Sequence, residues 1–226
     1  SPPPPPSTPP PFTLFPYTTL CRSEQDGRTV YGTRKLPGAQ QVLGFTARTP
    51  PKAQPHAGLG RLGAPRLDAY AEEFVASAKA TGVDDAWLRA IAHAESGFDA
   101  GAKSPKGAMG VMQLMPATAA EYGVADPFAS GQSIRAGAEL LSDLIRRYAG
   151  DLPLVAAAYN AGPDRVKQWL RETAENPVPM DIWIEIIPYA ETRGYVQNVL
   201  AFSVIFGKLM GRPVEMLTAA EAVSEW

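Results

Sequence analysis

From residue 67 onward, apolar positions recur at three- and four-residue spacing. Leu67, Tyr70, Ala71, Phe74 and Val75 form one stripe, as expected of a helix with one face in a core. Gly82 predicts the end of that helix, and Asp84 predicts the N-cap of the next, which carries Trp87, Leu88, Ile91 and Ala92. Ser133 reads as the cap of a helix that turns Ile134, Ala138, Leu141, Leu144 and Ile145 inward. Arg146 and Arg147 fall near its C-terminal end, where the helix dipole favours cations. Residues 152–160 and 163–170 read as two shorter helices separated by Gly162, with Pro163 suited to a first helical position. A long final helix is expected over about residues 189–210, before Gly211 and Pro213. No strand-type alternation, repeat or heptad appears after residue 66. The expected architecture is an all-α domain over residues 66–210, followed by a tail over residues 211–226.

The first 65 residues differ in kind. They hold 14 of the 23 prolines, five of them consecutive after Ser1, and such a composition favours extended, solvated backbone. The expectation is a disordered Pro-rich arm. Residues 13–23 resemble the in-frame translation of a common short-read sequencing adapter, departing from it only at Cys21. Residues 1–23 are therefore set aside as an artefactual, disordered segment, and Cys21 carries no redox information. Any leader would have been overwritten there. Residues 24–65 read as a linker that could hold a short β-hairpin around Gln25-Asp26-Gly27.

Composition narrows the function classes. With 45% hydrophobic and 19% charged residues, the chain can build a core. Residues 66–226 hold 14 Lys and Arg against 21 Asp and Glu, a net charge of −7, so no basic face is available for nucleic acid. One Cys and two His are too few for a structural zinc site, and no metal or other cofactor is implied. No apolar run is long enough to span a bilayer.

Candidate chemistry gathers in three places. Glu95, in Ala94-Glu95-Ser96-Gly97-Phe98, ends an apolar helix; a carboxyl among apolar groups has a raised pKa, as a general acid requires. The stretch 103–118 is rich in Gly and Met and contains Gln113 among apolar neighbours. Glycines there allow close approach of backbone to a ligand. Ala158-Tyr159-Asn160-Ala161-Gly162-Pro163 is a helix end with two hydrogen-bonding side chains, which a plain C-cap would also explain. Asp99 and Asp126, the carboxylates nearest Glu95 in sequence, read as turn residues.

Together these segments, with Trp183-Ile184-Glu185-Ile186-Ile187-Pro188-Tyr189-Ala190-Glu191-Thr192-Arg193-Gly194-Tyr195, resemble the lytic transglycosylases of the lysozyme superfamily. The likeness is strongest to the C-terminal catalytic domains of the soluble, periplasmic enzymes. It implies a lysozyme-like, goose-type helical fold and a periplasmic or cell-envelope location. It implies Glu95 as the single catalytic acid/base, with Ser104, Gln113, Met115, Tyr159, Asn160 and Glu191 lining the glycan site. Two positions depart from the usual pattern: Asp99-Ala100 stands where Asn-Pro is common, and Val111 replaces a common Leu. Residues 1–65 offer no counterpart of the superhelical region that precedes this domain in the soluble enzymes.

The implied reaction needs one carboxyl group where most glycosidases use two. Glu95 protonates the bond between N-acetylmuramic acid and N-acetylglucosamine, the muramic acetamido group assists, and the sugar's own C6 hydroxyl closes a 1,6-anhydro ring. The implied partner is the peptidoglycan glycan strand. Two rivals stay open on the residues alone: a goose-type hydrolase using the same glutamate with water, and a non-catalytic peptidoglycan-binding module.

Overall fold

The computed structural model describes residues 17–25, 28–32, 40–46 and 64–212. Two compact units result, residues 1–48 and 49–226, and each is described by itself.

In the first unit, strands β1 (Tyr17–Gln25), β2 (Arg28–Gly32) and β3 (Gln40–Thr46) form an antiparallel sheet in the order β2-β1-β3. Gln25 lies opposite Arg28, so Asp26-Gly27 is a two-residue connection of the kind that sequence favours. The β1–β3 ladder shifts register between Leu20 and Cys21. The β1–β2 pair is the short hairpin that the sequence allows around Gln25-Asp26-Gly27, and β1 begins within the segment set aside; residues 1–16, 33–39 and 47–63 lie outside the described residues. Prolines dominate residues 1–16, whereas β1 to β3 carry β-branched and aromatic residues suited to a pleated surface.

In the second unit the all-α expectation holds. Its helices are α1 (Ala71–Thr81), α2 (Asp85–Ser96), α3 (Pro116–Glu121) and α4 (Ser130–Arg147). They continue with α5 (Leu152–Ala161), α6 (Pro163–Thr173), α7 (Met180–Ile186) and α8 (Ala190–Leu209). No helix among the described residues is long and apolar enough to cross a membrane.

Helix α2 is the axis of this unit. Asp84 caps it by accepting from Trp87 N at 3.1 Å, as its position in the sequence predicts. Residues 86–94 are all buried, so the helix is enclosed on every side by α8, α1 and α4. Enclosure extends to Arg89, which donates to Asp85 Oδ1 at 2.8 Å, to the Leu67 carbonyl at 2.8 Å and to the Ala71 carbonyl at 3.4 Å. Its guanidinium also lies 4.7 Å from the centre of the Phe74 ring. With Leu67 O committed to Arg89 and Tyr70 in the left-handed region (φ 48°), α1 begins at Ala71 instead of Leu67. Val75 consequently points outward, 55% exposed, while Phe74 and Ser77 face the core.

A second expectation also moves. Helix α4 starts at Ser130, and Ser133, read as its cap, lies one turn inside and fully buried. Its hydroxyl accepts from Met112 N at 3.2 Å, so it anchors a loop instead of a helix end.

His93, on α2, is buried against Phe98, Phe202 and Phe206, and neither ring nitrogen has a hydrogen-bond partner. Burial, and then the nearby Arg66 cation, lower its pKa. The unfolded chain therefore binds a proton there more readily than the folded one, and stability falls as pH drops below about 6.5. The His93→Leu variant should lose this acid-side decline and gain about 1 kcal/mol at pH 7, because an unpartnered polar group leaves the core. Thermal melts of the two proteins between pH 5 and about 8 measure both effects.

Candidate active site

The turn after α2 sets the site's geometry. Gly97 (φ 62°) and Phe98 (φ 68°) are both left-handed, which reverses the chain sharply and buries Phe98 edge-on to Phe74 and Phe206. Ser96 donates to the Val111 carbonyl at 2.7 Å, tying the end of α2 to the loop of residues 109–114. Glu95 is thereby held half-buried between helix and loop.

The loop is built from its own backbone. Isolated β-bridges join Met109 to Lys103 and to Leu114. Gln113 adopts φ 48° and donates its side-chain amide to the carbonyls of Ala102, at 3.1 Å, and Gly110, at 2.9 Å. Expected as a cleft-lining residue, Gln113 spends its donors on holding this loop. Ser104 accepts from Ala108 N at 3.0 Å and closes the neighbouring turn. Met112 links the loop to two helices. Its N–H meets Ser133, its carbonyl accepts from the Tyr159 hydroxyl at 2.8 Å, and its side chain fills the notch left by Gly137.

Around Glu95 stand three groups from α5 and α8. Burial pushes the Glu95 carboxyl up to about 8. The Tyr195 hydroxyl opposes that shift, and the negative charge of Glu191 adds to it. Tyr195 is itself buried with no hydrogen bond of ordinary geometry, which leaves its hydroxyl available to Glu95. Burial raises the Tyr159 and Tyr195 hydroxyls well above the usual phenol range, and the Glu95 charge raises them further. Both therefore remain neutral donors beside the acid.

Asn160, next to Tyr159, accepts from the buried Thr192 hydroxyl at 2.8 Å through Oδ1. That bond fixes the amide so that its N–H groups are left for a ligand. Met115, 44% exposed, shares one cavity with Tyr159 and Asn160. Glu191 faces the cleft from the first turn of α8, with Lys106 Nζ at 3.5 Å.

The structure thus brings Glu95, Tyr159 and Glu191 into one electrostatic cluster, and Met115, Tyr159 and Asn160 around one cavity. Ser104 and Gln113 lie in the supporting loops. Sequence reasoning missed Tyr195 and Thr192 as members of the site. The four-residue step from Glu191 to Tyr195 along one helix face was the available signal. No second carboxylate acts as a partner to Glu95 from the turns: Asp99 accepts from Gly101 N at 2.8 Å and Asp126 from Phe128 N at 2.9 Å, and both are exposed.

A buried carboxyl that holds its proton at neutrality, with neutral tyrosine hydroxyls around it, can act as a proton donor to a bound substrate. Comparison with known proteins agrees. Residues 72–178 match the family model of the transglycosylase SLT domain, and residues 186–214 that of the soluble lytic transglycosylase helical domain. The soluble lytic murein transglycosylase of Salmonella typhimurium is 33% identical over 163 residues, 68% of this chain and 25% of the relative. Among solved structures, an inactive glutamate-to-glutamine variant of lytic transglycosylase Slt from Pseudomonas aeruginosa shares 39% identity at a TM-score of 0.60. That match covers 66% of this chain and 25% of the other. The 70 kDa soluble lytic transglycosylase of Escherichia coli shares 32% identity at a TM-score of 0.66, over 72% and 28% of the two chains. This chain spans about a quarter of the length of such relatives. Its helical unit has their lysozyme-like fold, and the chain belongs, through that unit, with the SLT-type lytic transglycosylases.

Proposed function

We propose that the chain cleaves peptidoglycan glycan strands without water, at the bond between N-acetylmuramic acid and N-acetylglucosamine, in the periplasm or cell envelope. The observation that carries this reading is the Glu95 carboxyl. At about 8 its pKa keeps the proton in place at neutrality; Tyr159, whose hydroxyl feels the Glu95 charge, is followed in sequence by the Asn160 amide that Thr192 orients.

Glu95 gives its proton to the glycosidic oxygen as the C1–O bond breaks, and the N-acetylglucosamine side leaves with a free hydroxyl. The muramic acetamido oxygen, held by the Asn160 N–H, stabilises the electron-poor C1. Glu95, now a carboxylate, takes the proton of the C6 hydroxyl as O6 bonds to C1. The product is a 1,6-anhydro sugar, and the acid is protonated again for the next turn. No water is consumed, and the intramolecular attack carries the rate advantage of high effective molarity. That a glutamate-to-glutamine change inactivates the Pseudomonas relative fits catalysis resting on one glutamate.

Digestion of purified sacculi followed by mass spectrometry tests the reading. Anhydro ends, about 18 Da lighter than reducing ends, are expected. Reducing ends would assign the chain as a hydrolase, and binding without soluble fragments would leave a glycan-binding module. Asn160→Ala should lower turnover about tenfold without abolishing it, the weight of one hydrogen bond to a reacting group. An unchanged rate would remove Asn160 from acetamido positioning.

A further inference from the structure

Lys106 has no part in the reaction as described, yet it pairs with an anion that acts on Glu95. It lies at the tip of a tight turn over residues 104–108. The turn closes on itself: the Ser104 N–H donates to the Ala108 carbonyl at 2.9 Å, the Gly107 N–H to the Ser104 carbonyl at 3.0 Å, and the Ala108 N–H to the Ser104 hydroxyl at 3.0 Å. From that tip Lys106 Nζ comes within 3.5 Å of Glu191 Oε1, in the first turn of α8. The two partners are unlike. The lysine side chain is 71% exposed and the glutamate 23%, so solvent reaches the pair mainly from the lysine side. An ion pair with one solvated partner adds little to stability, and its consequence lies in where it places charge.

That charge matters because the other groups around Glu95 are neutral. Tyr159 from α5 and Tyr195 from α8 keep their protons, and the loop of residues 109–114 carries no ionisable side chain. On α2 itself, His93 is buried against Phe98, Phe202 and Phe206, and with its pKa lowered it is uncharged at neutrality. Glu191, from α8, is the ionised group whose field reaches the acid, and its negative charge raises the Glu95 carboxyl. The Lys106 ammonium beside it answers part of that charge.

We propose that Lys106 is a positioning residue for the reaction: through its ion pair it holds the Glu191 carboxylate partly neutralised beside the cleft, and so sets how readily Glu95 gives and takes its proton. The inference rests on the transglycosylase reading above and adds a residue that governs the acid without touching the sugar. A single acid/base must release its proton in one step and recover it in the next. A carboxyl raised too far serves the first step less well, and one raised too little serves the second less well.

The test is the pH profile of kcat/KM for cleavage of soluble glycan strands. The wild-type basic limb, expected near 8, should move up by about half a unit in Lys106→Gln, the effect of one partly solvated charge beside an acid. Lys106→Arg keeps the cation and should keep the wild-type limb. In Glu191→Gln the limb should sit below that of wild type, and adding Lys106→Gln to that variant should leave it in place. A limb unmoved by Lys106→Gln, or moved equally with and without Glu191, overturns the role of Lys106 while leaving the transglycosylase reading standing. A wild type that releases no fragments overturns both.

Discussion

Replacing Glu95 by Gln should lower turnover on purified peptidoglycan by at least roughly two orders of magnitude, within the range for loss of a general acid–base. Glutamine keeps the shape and the near contact with Tyr195, but it has no proton to give the glycosidic oxygen. The same side chain sets the pH profile. With its pKa near 8, Glu95 is protonated at neutrality, and activity should fall as pH rises through about 8. Wild-type-like rates from the variant would remove Glu95 from the mechanism.

Glu95→Gln also has a thermodynamic signature. The folded pKa lies above the unfolded one, so the folded chain binds more protons between roughly 4.5 and 8. Stability from the neutral carboxyl is fully present below that window and is lost as pH rises through it. The variant cannot ionise and should melt at higher temperature than wild type above pH 8, with the gap closing in acid. His93, two residues earlier, responds in the opposite sense because its folded pKa is lowered. Melting curves of the two single variants against pH separate the contributions.

Gly110→Ala should cost about 3 kcal/mol and most of the activity. At φ 76° an L side chain is strained, and the added Cβ would lie 1.9 Å from the Pro127 carbonyl oxygen, which is backbone and cannot rotate aside. Relief requires the loop of residues 109–114 to move. That loop carries Met112, whose carbonyl receives the Tyr159 hydroxyl, and Gln113, which bonds to Gly110 itself. Stability and turnover should therefore fall together. Urea titration and the sacculus digest report them, and a variant with normal stability would show that the loop tolerates the displacement.

Much of the helical unit was legible because local chemistry and tertiary demand agree there. Asp84 caps α2, Gly162 and Pro163 separate α5 from α6, and the last helix ends where Gly211 begins a new direction. Misreadings arose where a distant partner decides. Ser133 looks like a cap until Met112, 21 positions earlier, claims its hydroxyl. Leu67 looks helical until Arg89 takes its carbonyl. Helices α3 and α7 are short, and neither gave a periodic signal long enough to read. For the site, residue types gave the acid and the Tyr-Asn helix end. That Thr192 orients Asn160 and that Tyr195 meets Glu95 depends on how α8 lies against α2 and α5, which no spacing along the chain reveals.

The Met112 side chain seated in the Gly137 notch makes the order of substitutions matter. A methyl group at position 137 would fall 2.7 Å from the Met112 Cγ and 3.0 Å from its Cβ, near the root of that side chain, so Gly137→Ala is harmful while the thioether is in place. Shortening Met112 removes the Cε and Cγ contacts and leaves its Cβ at 3.0 Å, so the same alanine then costs less. The two positions are thus epistatic: an alanine at 137 is tolerated better after Met112 has been shortened than before.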